Sequence, residues 1–152
     1  MLRANPPQLN HIPLGLVIGQ ITIPKSQYER QLAISPSFYY CYGKGFGLFN
    51  GLMSISEDKL TADYYWMLSW KDPEAINPVG YWTSKASQKE MLDHALEKTK
   101  IMNPRLSELV RMTKPEGMLV PPIQVRDLVP TELPLGRVTL LGDAVHPMTF
   151  CM

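Results

Sequence analysis

Between Leu60 and Trp70 the chain alternates with a period of two. Leu60, Ala62, Tyr64, Trp66, Leu68 and Trp70 fall on one side, and Thr61, Asp63, Tyr65, Met67 and Ser69 on the other. Successive strand side chains point to opposite faces, so the pattern predicts a strand whose even residues share one face. Phe38–Tyr42 and Phe46–Ile55 read as its partners, joined through Gly43, Gly45 and Gly47. Connections this short favour antiparallel pairing. Earlier, Val17, Ile18, Ile21, Thr22 and Ile23 predict a strand within Ile12–Ile23, and Pro24 suits the first turn of a short helix over Lys25–Leu32.

The period then changes. Ser87-Gln88-Lys89-Glu90 has the form of a capping box, which satisfies free backbone N–H groups at a helix start. Leu92, Ala95, Leu96 and Thr99 follow at helical spacing. Asn103-Pro104 predicts the start of a second helix with Leu106, Leu109, Val110 and Thr113 on one face, ended by Pro115 and Gly117. A strand near Met118–Val125, a proline-bounded loop through Pro134 and a last strand at Val138–Leu141 complete the reading. Strands, then helices, then strands predict an α+β fold with helices on one face of a mostly antiparallel sheet. Twelve of the fourteen aromatic residues lie between Phe38 and Trp82, so that sheet is aromatic-rich.

Composition narrows the function classes. The 152 residues suit one domain, and 45% hydrophobic with 19% charged residues is globular rather than disordered. A net charge of +1 gives no reason to expect nucleic acid or an acidic membrane as partner. The apolar run Ile12–Ile18 is broken by Pro13 and Gly15 and precedes no cleavage signature, so neither a secretory leader nor a membrane span is expected. Cys41 and Cys151 are too few for a disulfide framework, and a reducing, cytoplasmic setting is the expectation.

Several side chains read as unremarkable surface. His94 and Glu97 share a helix face without a second His to make a metal set, so a solvated face is expected and no metal site. His11, beside a proline, reads as surface loop, and Arg126-Asp127 as a surface pair. Glu57 and Asp58 are adjacent and point apart, Lys44 among glycines fits a hairpin turn, and Ser35 and Ser37 have no base at recognisable spacing. No catalytic residue is assigned.

The sharpest signal is Gly136-Arg137-Val138-Thr139-Leu140-Leu141-Gly142-Asp143-Ala144-Val145-His146-Pro147. A β-rich run leading straight into Gly-Asp places a carboxylate at a strand's carboxyl end, where it can accept hydroxyl hydrogen bonds from a polyol. The same residues also describe a turn in which Asp143 caps a following helix. This stretch, continuing into Met148-Thr149, resembles the second flavin motif of FAD-dependent monooxygenases of the aromatic hydroxylase type, including fungal secondary-metabolism members. The resemblance implies Asp143 as a contact to the ribityl chain of FAD, with Gly142, His146 and Pro147 shaping the approach. Read from the residues alone, Tyr64, Trp66 and Trp70 would ordinarily be core. The resemblance also implies that residues 1–134 are substrate-domain-like, with the inner face of this sheet roofing a pocket for an aromatic or polyketide-type molecule. Residues 135–152 would then be a remnant of the FAD-binding domain.

No Gly-x-Gly-x-x-Gly occurs, so the βαβ unit that carries the FAD pyrophosphate in that family is missing. Losing about three charge-assisted hydrogen bonds at roughly 1.5–3 kcal/mol each weakens binding by a factor on the order of a thousand or more. The expectation is a truncated monooxygenase whose parent reduces FAD with NAD(P)H and oxygenates its substrate. FAD binding by the chain alone should be weak or absent, and a partner chain could cover the exposed nucleotide-domain interface. The competing readings are a cofactor-free binding module, isomerase or cyclase that keeps the pocket, and an inactive fragment.

Overall fold

A computed structural model of the chain describes residues 10–77, 79–128 and 142. The alternating segment forms strand β5 (Thr61–Lys71), which lies inside the main sheet. β2 (Leu14–Pro24) flanks it on one side and β4 (Phe46–Ile55) on the other, with β3 (Phe38–Gly43) at the far edge. The order is β2-β5-β4-β3 and every pairing is antiparallel. Gly19 and Asn50 flank Trp66 from the two sides, so β5 has both its ladders filled. β3 and β4 turn through Lys44-Gly45, where Gly45 takes φ +81°, a left-handed conformation glycine enters at no steric cost. Lys44 thus sits in the hairpin turn that the sequence predicted.

Alternation in β5 decides what the sheet buries. Ala62, Tyr64, Trp66, Leu68 and Trp70 are each 3% exposed or less, while the residues between them are half-buried. Leu60 falls outside the strand and is exposed. Helices α1 (Lys25–Leu32), α2 (Gln88–Thr99) and α3 (Glu108–Met112) share this even face, contributing Tyr28, Met91, Leu92, Ala95, Leu109 and Val110 to one apolar cluster with it. The Trp66 indole N–H donates to Thr113 Oγ1 at 2.9 Å, which satisfies the only polar atom of a fully buried ring.

A polar chain ties α1, α3 and β3 together. Arg30 pairs with Glu108 at 2.6 Å, Gln31 Nε2 donates to the same carboxylate at 2.7 Å, and the Tyr39 hydroxyl donates to Gln31 Oε1 at 2.8 Å. Gln31 and Glu108 are buried, so removing either would strand polar atoms away from water. The expected capping box is present: Ser87 N donates to the Glu90 carboxylate at 2.7 Å and Glu90 N to Ser87 Oγ at 3.2 Å.

Three expectations are corrected. The second helix is only Glu108–Met112, preceded by a turn over 104–107. Asn103 Oδ1 accepts from Arg105 N at 3.0 Å and Asn103 O from Leu106 N at 2.9 Å, so local side-chain and turn bonds displace the first helical turn. Met118–Val125 is not a strand. Gly19 makes an isolated bridge to Met118, and Leu119 N donates to Ile18 O at 2.9 Å, but Pro121 and Pro122 have no N–H to continue the ladder. His11 is not in a loop: β1 (Asn10–His11) pairs antiparallel with β6 (Arg126–Asp127), which gives the expected surface pair a structural partner. The predicted strand at Val138–Leu141 lies outside the described residues.

Two neighbours in β5 should respond differently to truncation. Leu68→Ala should cost about 2–5 kcal/mol and Met67→Ala under about 1.5 kcal/mol by urea unfolding. Equal losses would contradict the assignment of faces. Ser87→Ala should cost about 1 kcal/mol through the α2 cap alone.

Candidate functional site: the aromatic face of the sheet

With the three helices on the even face, the odd residues of β5 form the opposite surface. One rung across it runs Ile18, Met67, Phe49 and Tyr40, and the next includes Gln20, Tyr65, Gly51 and Phe38. The rings form a connected shelf. Phe38 stacks on Phe49 with centroids 5.6 Å apart, Phe49 meets Tyr65 at 5.4 Å, and Tyr40 meets Tyr42 at 4.5 Å. A Cβ at Gly47 would run into the Tyr40 ring, and one at Gly51 would stand 2.7 Å from Tyr65. Glycine at these two positions lets the Tyr40 and Tyr65 rings pack over the backbone. Phe38 and Phe49 are nearly parallel at 18°, while Phe49 and Tyr65 are tilted by 37° and Tyr40 meets Phe49 edge-on at 65°.

One end of the shelf is polar. Asp63 accepts from Thr22 Oγ1 at 2.6 Å and from Ser54 Oγ at 2.9 Å, and these hydroxyl donors hold its carboxyl below the ordinary carboxylate range. An aromatic surface with a fixed hydrogen-bond acceptor at its rim can bind a planar molecule by stacking on one of its rings and orient one of its hydroxyl groups.

Tyr64, Trp66 and Trp70 are core, as their residue types led one to expect, and the pocket roof that the resemblance implied for them is not found, because the helices cover them. Among the sequence-predicted flavin residues, Asp143, His146 and Pro147 lie outside the described residues. Gly142 is described: it is exposed and has φ +58°, and no described residue stands within 4 Å of where a Cβ would be. The signal for the shelf was present in Tyr65, Met67 and Phe49 at outward positions, but what the neighbouring strands add to that surface depends on a register that no local signal sets.

The sequence is 37% identical over 143 residues to the FAD-dependent monooxygenase thnD of Trichoderma harzianum, a match covering 93% of this chain and 35% of that protein. The chain is a relative of FAD-dependent monooxygenases. It spans about a third of the length of that curated relative. No family model matches the sequence. Two solved structures share the fold. One is a Photorhabdus luminescens protein described as an FAD-containing monooxygenase (TM-score 0.66, 18% identity, 94% of this chain and 40% of that one). The other is an arginine-to-glutamine variant of Klebsiella pneumoniae HpxO complexed with FAD (TM-score 0.60, 21% identity, 93% and 32%). Among the described residues no helix is long and apolar enough to cross a membrane.

On the helix side, this monooxygenase relative holds a cluster that the sequence reading missed. His94 is not on a solvated face. Its ring lies between Trp70 and Trp82, with centroids 4.5 Å and 4.7 Å away, and its Nε2 is buried without a hydrogen-bond partner. Glu97, as expected, is exposed, and it pairs with Lys100 at 3.6 Å. Lys98 Nζ sits 5.9 Å from the Trp70 ring centre. Asp72 accepts from the Tyr81 hydroxyl at 2.8 Å and from the Trp70 indole at 3.4 Å. Burial, then the Lys98 charge, pushes the His94 pKa below 6.5, with Asp72 opposing.

A neutral His94 in the folded state makes a definite sign prediction. The unfolded chain binds the proton more readily, so the contribution is complete above 6.5 and is lost as pH falls toward the lower folded value. Thermal unfolding from about pH 8 to about pH 5 should show this loss, and His94→Phe should flatten it. An unchanged slope in the variant would contradict the assignment.

Proposed function

We propose that residues 10–128 act as the substrate-binding part of an FAD-dependent monooxygenase that oxygenates a planar aromatic or polyketide-type molecule, as in secondary metabolism. The observation that carries the reading is the alignment of nearly the whole chain with a monooxygenase, in a fold that turns an aromatic surface away from its helices. Stacking on Phe49 and Tyr65 holds the substrate ring and excludes water from one side of it. Asp63 accepts a hydrogen bond from a substrate hydroxyl.

The flavin contact is assigned to Asp143, with Gly142, His146 and Pro147 shaping its surroundings and residues 135–152 belonging to the FAD-binding portion. Gly142 fits that role, since its left-handed backbone suits a glycine where a ligand comes close to the main chain. When bound, reduced FAD supplies the oxygen-activating chemistry, with NAD(P)H as electron source. The pyrophosphate contacts lie outside this chain, so FAD binding by these residues alone is weak.

A chimera tests this reading. In it, the matching stretch of the Trichoderma monooxygenase is replaced by this sequence. It should retain FAD, and its NAD(P)H oxidation should rise when planar phenols are added. Phe49→Ala and Tyr65→Ala should raise the KM for the phenol about tenfold each, equivalent to about 1.4 kcal/mol, with flavin content unchanged. Loss of flavin from the chimera, or an unchanged KM in both variants, would contradict the proposal.

A further inference from the structure

β3 is an edge strand with its outer ladder open. Leu52 N donates to Ser37 O at 2.8 Å, which sets the parity of the β3–β4 ladder. The main-chain groups of Tyr39 and Cys41 therefore face β4, and those of Phe38, Tyr40 and Tyr42 face away from the sheet. No described backbone group pairs with these three.

The strand has none of the devices that usually blunt an edge. It is six residues long, Phe-Tyr-Tyr-Cys-Tyr-Gly, with no charge and no proline, and Phe38 and Tyr42 are 58% and 75% exposed. Beside it opens a cleft of about 490 Å³ whose far wall is mostly apolar, formed by Ile34, Ile101, Met102 and Leu106 with Asn103. No charged side chain lines that cleft.

We propose that this edge pairs with the β3 edge of a second copy of the chain, antiparallel about a two-fold axis through Tyr40. The pairing sets Tyr40 against its counterpart and Phe38 against Tyr42 of the second copy, forms about six backbone hydrogen bonds, and joins two four-stranded sheets into one. A two-fold perpendicular to the sheet keeps both helix layers on one side, so the two clefts meet and Ile101, which is 75% exposed, is covered. Charge favours this occupant: β3 carries none, the flanking Lys44 residues fall at opposite ends of the paired strands, and a net charge of +1 gives little repulsion between copies. The aromatic rows of the sheet's exposed face continue across the junction.

Sedimentation equilibrium of the 152-residue chain should give twice the 17.2 kDa chain mass, with slow amide exchange at Phe38, Tyr40 and Tyr42. The double variant Phe38→Lys, Tyr42→Lys sets lysine against lysine in this register and should weaken the dimer at least a hundredfold. Phe38→Lys, Tyr42→Glu sets opposite charges together and should restore most of the affinity. Both positions are exposed, so unchanged circular dichroism confirms folding, and Met53→Lys, on an exposed β4 residue, should leave the dimer intact. The proposal is overturned by any of three results: a monomer with fast-exchanging edge amides, a dimer indifferent to both double variants, or failure of the charge-paired variant to recover. A monomer of that kind would leave the edge to a strand from outside this chain.

Discussion

Trp66 and its even-numbered neighbours in β5 have to be buried together, and the rest of the molecule is arranged around that requirement. A strand paired on both sides cannot slip by one residue without moving its whole apolar set to the other face. Here the set comprises two tryptophans, a tyrosine, a leucine and an alanine, which the helices cover. Burying a large apolar side chain is worth roughly 1.5–3 kcal/mol, so a slip would forfeit several such terms at once. Fixing the parity of β5 fixes that of β4 and β3 through their registers. The shelf on the opposite face is therefore a consequence of the core.

Most of the sheet was legible because period-two patterning and short glycine turns are local signals. The β5 alternation, the hairpin at Lys44-Gly45, the helix at Lys25–Leu32 and the Ser87–Glu90 cap all depend on residues within a few positions of one another. The misreadings needed information from elsewhere in the chain. His94 looked like surface by helical spacing, and only the docking of α2 brings it between Trp70 and Trp82. The ladder that begins at Met118 stops because two prolines follow, and His11 becomes a strand residue only because Arg126 reaches it from 115 positions away. The exposed face was the costliest omission. The sequence pointed to Tyr64, Trp66 and Trp70 as core, but the neighbouring strands' contribution to the opposite surface depends on a register that no local signal sets.

Function follows from combining kinship with this geometry. The relative and the solved neighbours are named as FAD-dependent or FAD-containing proteins, and the two-sided sheet says what the matched segment offers a ligand. One side is covered at Trp66 by the helix layer and tied by a polar chain from Arg30 to Tyr39 that centres on the buried Gln31 and Glu108. The other side offers a chain of packed rings, two glycines that let them sit close to the backbone, and an acceptor at Asp63 held by two hydroxyls. The division of labour lies between alternate residues of a single strand.

That division can be read directly by hydroxyl-radical footprinting with residue-level mass spectrometry on the native chain. The account predicts strong oxidation at Phe38, Tyr42, Tyr65 and Met67, with Tyr64, Trp66 and Trp70 protected until the protein is unfolded. Oxidation of Trp66 and Trp70 in the native state, with Tyr65 and Met67 protected, would show that the helices cover the other face and would overturn the site built upon it.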